Sequence, residues 1–104
     1  VLKKVALRGR PVTGPAGRAR VRPSRDVLMG ELDGVAVLLD LKREVYLGLD
    51  EVGTTIWREV ERGSGVDTIV DAVCAGFDAP REVVYRDTGV FLDELVRSGL
   101  AVRS

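Results

Sequence analysis

The sequence predicts an α+β domain in which a three-stranded antiparallel sheet precedes three helices. Two observations carry this expectation. Residues 27–49 form three short apolar stretches separated by polar turns, and residues 52–95 repeat apolar side chains at helical spacing between Gly and Pro breakers.

The first strand is read as Val27-Leu28-Met29-Gly30-Glu31-Leu32, leading to Asp33-Gly34, a strong hairpin signal between strands. Val35-Ala36-Val37-Leu38-Leu39 then runs apolar throughout, as a strand covered on both faces would. Lys42-Arg43-Glu44 is a polar turn, and Val45-Tyr46-Leu47-Gly48-Leu49 is the third strand of a meander. Chain order leaves the first or the third strand at an edge.

Asp50 is a natural N-cap for the first helix, with Glu51 favourable in its first turn. Val52, Ile56, Trp57 and Val60 form its apolar stripe. Gly63-Ser64-Gly65 stops it. The second helix runs to Gly76 with Ile69, Val70, Val73 and Cys74 inward, and Phe77 packs past its end. Asp78-Ala79-Pro80 opens the third, since proline is tolerated in a first helical turn. Its apolar set is Val84, Thr88, Phe91, Leu92 and Leu95; Ser98-Gly99 ends it, and Leu100-Ala101-Val102 trails as a docked tail or short strand.

Residues 1–24 read differently. Gly9, Gly14 and Gly17 interleave with Pro11, Pro15 and Pro23, so they form a basic N-terminal extension to a domain spanning 25–104. The net charge is zero, but residues 1–25 hold eight of the sixteen bases and no acid. Such an arm could touch nucleic acid or an acidic partner, or be a solvated tail.

Composition removes whole classes of chemistry. With no histidine, neither a Cys/His zinc site nor a Ser-His-Asp arrangement can be built. An enzyme would have to work with carboxylates, lysine or arginine, so no catalytic residue, metal or cofactor is expected. The single cysteine, Cys74, fits a reducing cytoplasm and reads as core. The apolar run Val35–Leu39 falls far short of the roughly 20 residues a membrane span needs. The basic start lacks the apolar core of a secretory signal.

Three strands and three short helices resemble a winged helix-turn-helix in content, a fold that can read DNA through its last helix. Here that helix sets Arg81, Arg86 and Arg97 against Glu82, Asp87, Asp93 and Glu94, which argues against a polyanionic partner. A small sheet beside a helix can instead accept an extended peptide at its edge. The third strand is the candidate, because Gly48 leaves room for close approach. The same free edge invites a second copy, giving a homodimer.

The ordered set Arg22-Pro23-Ser24-Arg25-Asp26-Val27, Val37-Leu38-Leu39-Asp40, Tyr46-Leu47-Gly48-Leu49-Asp50-Glu51-Val52-Gly53-Thr54-Thr55-Ile56-Trp57 and Asp87-Thr88-Gly89-Val90-Phe91-Leu92-Asp93-Glu94-Leu95 resembles the PqqD-like family. The family comprises coenzyme PQQ synthesis protein D and related recognition elements for ribosomally made, later modified peptides (RiPPs). The resemblance covers about four fifths of the chain. It implies a winged-helix-like fold without catalysis of its own, which binds the leader of a precursor peptide as a strand added beside the third strand and against the third helix. It implies a peptide-modifying partner: a radical SAM enzyme in PQQ biosynthesis, a leader protease in lasso peptide maturation, or a cyclase. Carried over, Glu44, Val45, Tyr46, Leu47 and Gly48 would present backbone to the leader, while Val84, Asp87, Thr88, Phe91 and Leu95 would line the groove. The helix residues equally suit plain core at their spacing, and Tyr46 could simply cover the hairpin. The chain departs from the family pattern at Thr88, where an aliphatic residue is usual, and at Gly89, which costs about 1 kcal/mol within a helix. DNA binding by the winged helix and a role as a protein-binding adaptor are the alternatives.

Overall fold

The computed structural model describes residues 20–103, so all but the end of the basic extension lies outside the described residues. The chain forms β1 (Val21–Pro23), β2 (Val27–Leu32), β3 (Val35–Asp40), β4 (Val45–Gly48), α1 (Glu51–Glu61), α2 (Val66–Gly76), α3 (Arg81–Arg97) and β5 (Ala101–Arg103). The expected meander and three helices are present.

β2, β3 and β4 make an antiparallel sheet in that order, so both β2 and β4 are edges. Asp33 (φ 55°) and Gly34 (φ 84°) both take positive φ, the conformation a two-residue hairpin turn requires. Glu44 (φ 59°) makes the second reversal.

One expectation about the sheet is corrected. β3 is not covered on both faces: Ala36 and Leu38 are 0% exposed, whereas Leu39 on the other face is 36% exposed. The helices pack on one side only, and the register sets Leu28, Leu39 and Tyr46 side by side across the uncovered side. An apolar run cannot itself say whether one layer or two will cover it.

A second correction concerns the first quarter. Residues 20–24, assigned to the extension, are docked. β1 pairs antiparallel with β5, Ser24 N–H donates to the Leu100 carbonyl at 3.1 Å, and Val21 is buried. Arg20 bridges to Gly65 and donates through its guanidinium to the Gly63 carbonyl at 2.7 Å. The strand that closes the domain therefore comes from the chain's opposite end, which no local pattern announces.

The third strand stops at Gly48 rather than Leu49. Leu49 turns inward, only 3% exposed, while its N–H still donates to the Ala36 carbonyl at 2.9 Å. Asp50 then caps α1, its carboxylate accepting from Gly53 N–H at 2.7 Å. Gly53 matters sterically: a Cβ there would lie 3.2 Å from the Asp50 carboxylate and 3.5 Å from the Phe91 ring. Its absence lets the start of α1 approach α3.

The core joins Ala36 and Leu38 to Ile56, Trp57 and Val60 of α1, Ile69, Val70 and Val73 of α2, and Phe91, Leu92 and Leu95 of α3. Trp57 satisfies its indole N–H on Glu61 at 3.0 Å. Cys74 and Phe77 pack against this core, as their spacing predicts.

Candidate functional site

β4 is a free edge, and the register says what it offers. Antiparallel pairs alternate between those that exchange hydrogen bonds and those that do not. Leu49 bonds to Ala36, so Leu47 with Leu38 and Val45 with Asp40 are the other bonded pairs. Tyr46 and Gly48, opposite Leu39 and Val37, therefore point their N–H and C=O groups away from β3. Among the described residues no strand pairs with that side. Leu47, by contrast, spends its backbone groups inside the sheet.

Beside this edge lies an open cleft of about 270 Å³. Its floor is Leu38 and Leu100, one wall is Val45, Tyr46 and Leu47, and the other is Phe91, Glu94 and Leu95 of α3 with its C-cap Ser98. Val45 is telling. It sits on the inner face of the sheet, level with buried Asp40, yet is 53% exposed, because α3 does not reach it. An inward-facing valine at a free strand edge is apolar surface left without a cover.

Arg43 closes one end. Its guanidinium donates to the Asp40 carboxylate at 3.2 Å and to the Ser98 carbonyl, strapping the β3–β4 turn to the end of α3. Asp40 is 4% exposed and also accepts the N–H groups of Lys42 at 3.0 Å and Arg43 at 3.1 Å. That buried carboxylate is thereby satisfied, and the turn before β4 is pinned.

Five of the ten residues expected at the site meet here: Val45, Tyr46, Leu47, Phe91 and Leu95. Glu44 and Gly48 bracket the strand without lining the cleft. Val84, Asp87 and Thr88 line a second, smaller hollow of about 120 Å³ with Val52, Ile56, Val73 and Phe77. Thr88 is 1% exposed, so it serves as core. Sequence reasoning missed Leu38, Asp40, Arg43, Glu94, Ser98 and Leu100. Glu94 and Ser98 follow Phe91 by three and seven positions and were readable from helical spacing; Arg43 and Asp40 reach the site only through tertiary contacts.

Among the described residues, no group of His, Cys, Asp and Glu is placed to hold a metal ion, and no helix is long and apolar enough to cross a membrane.

A family model described as coenzyme PQQ synthesis protein D matches residues 36–101. No curated protein matches the chain. The structure of TbiB1 in complex with the TbiA(beta) leader peptide is 39% identical, with a TM-score of 0.72 over 77% of this chain and 93% of that one. A lasso peptide synthetase B1 complexed with the leader peptide is 20% identical, with a TM-score of 0.73 over 79% of this chain and 96% of that one, and shares the fold.

Proposed function

The chain belongs to the family of coenzyme PQQ synthesis protein D, and from that membership we propose that it is a recognition element for the leader of a ribosomally made precursor peptide. The observation that carries this reading is the uncovered cleft beside a strand edge whose Tyr46 and Gly48 backbone groups point outward. A leader adds there as a further strand. Its backbone bonds to Tyr46 and Gly48, and alternate side chains enter the cleft against Phe91 and Leu95. The neighbour sharing 39% of the sequence was captured with a leader peptide, which supports the same role here.

The domain does no chemistry in this reading. It tethers the precursor to a peptide-modifying enzyme, such as a leader protease or a radical SAM enzyme, in the cytoplasm. A short flexible link raises the effective concentration of the substrate to the millimolar range. Micromolar leader affinity, about −8 kcal/mol, suffices for that task. The binding unit comprises residues 20–103, preceded by the basic segment. DNA binding fits less well, because Arg81, Arg86 and Arg97 of α3 each lie beside a carboxylate, on Asp71, Asp87 and Asp93.

The test is titration of a fluorescent synthetic leader, taken from the nearest precursor gene in the source genome, into the purified protein. Saturable binding near micromolar is expected. No binding up to about 100 μM by a folded protein would remove the leader reading.

A further inference from the structure

Resting on the leader-binding reading, we infer that Glu94 makes this groove select leaders that bring a lysine or arginine into it. Three charged side chains line the cleft: Asp40, Arg43 and Glu94. Asp40 and Arg43 are spent on each other. The Glu94 carboxylate, half-buried on the α3 wall between Phe91 and Leu95, makes no hydrogen bond or ion pair among the described residues. Arg97, next along α3, goes to Asp93 at 3.2 Å, and Arg103 of β5 joins the same carboxylate at 3.2 Å. The cleft therefore presents apolar walls and one uncompensated negative charge.

Water satisfies Glu94 while the groove is empty. A peptide lying against Phe91 and Leu95 removes part of that water, and a carboxylate losing water without a partner opposes binding. A cation on the peptide reverses the sign, because the pair then forms where solvent screening is reduced. A strand added at β4 sends every second side chain toward α3. The cation thus belongs on an inward-facing position, two places from a residue that rests on Phe91 or Leu95. Backbone bonds to Tyr46 and Gly48 accept almost any sequence, so this charge is a means by which one leader is told from another.

The experiment uses the same leader with each Lys or Arg in its strand-forming stretch replaced in turn by Gln and by Glu. These peptides are titrated into the wild-type chain and into Glu94→Gln and Glu94→Lys. For one inward position, the Glu peptide should bind wild type at least about tenfold more weakly than the parent, and Glu94→Lys should invert that order. Added salt should shrink the preference. Parent and Glu peptides binding wild type within about twofold at every position would overturn the charge selection while leaving leader recognition intact. A natural leader with no Lys or Arg in that stretch would overturn it equally. Failure of every peptide to bind the folded chain would overturn both.

Discussion

The Thr54 hydroxyl accepts the Ala36 backbone N–H at 2.9 Å, in a site where both residues are buried. This bond sits where the β3–β4 ladder ends: the Ala36 carbonyl takes Leu49 N–H, and its N–H would otherwise have no partner. One hydroxyl thus fixes α1 against the sheet, directly after the edge strand. Thr54→Val keeps the shape and leaves a buried donor unpaired. It should cost about 1–3 kcal/mol in urea unfolding, with leader affinity unchanged in the folded fraction. A loss well below that range would mean that Ala36 N–H finds another acceptor.

Proline scanning of β4 separates the two sides of the strand. Tyr46→Pro removes an outward N–H and leaves the β3 ladder intact, a position edge strands tolerate. It should fold and bind leader about tenfold more weakly than a Tyr46→Ala control. Leu47→Pro removes a donor inside the sheet and should destabilise the protein itself. Equal leader affinity for Tyr46→Pro and Tyr46→Ala would place the leader somewhere other than this edge.

The sequence announces the helices because their signals are local. Asp50 as cap, the Ile56–Trp57–Val60 stripe and Pro80 at the start of α3 each act within a turn or two of themselves. Strand order left the first or the third strand as the edge, and Gly48 pointed to the third, which is β4. What stayed hidden depends on distant partners. β1 finds β5 across nearly the whole chain, and Arg43 finds the Ser98 carbonyl. The half-open face of β3 depends on which side the helices choose. Glu94 was visible in its position but reads, like most helical glutamates, as a solvated residue until the opposite wall is in place.

A charge introduced into the cleft must be placed at a residue the core does not need. Val45 is 53% exposed, so Val45→Asp should leave stability within about 0.5 kcal/mol of wild type. A leader seated over it would bury the new carboxylate, and affinity should fall at least about tenfold. Leu95, at 2% exposure, cannot serve: Leu95→Asp places a charge in the core and should unfold the domain before binding is tested. Full leader affinity in a folded Val45→Asp protein would exclude the cleft as the site.

The strap from Arg43 predicts a coupled loss. The side chain is more than half exposed, so its pair with Asp40 contributes modestly, about 1 kcal/mol or less as an ion pair. Its geometric role is larger, because the same guanidinium joins the turn before β4 to the carbonyl end of α3, the two walls of the cleft. Arg43→Ala should therefore lower stability by only about 1 kcal/mol, since Asp40 keeps the Lys42 and Arg43 backbone N–H groups. Leader dissociation should quicken more than that loss implies, because the free walls now have to be held together when the peptide binds. Stopped-flow release of a labelled leader, set beside urea melts of the same variant, makes the comparison. An unchanged off-rate would mean that the cleft keeps its width without the strap.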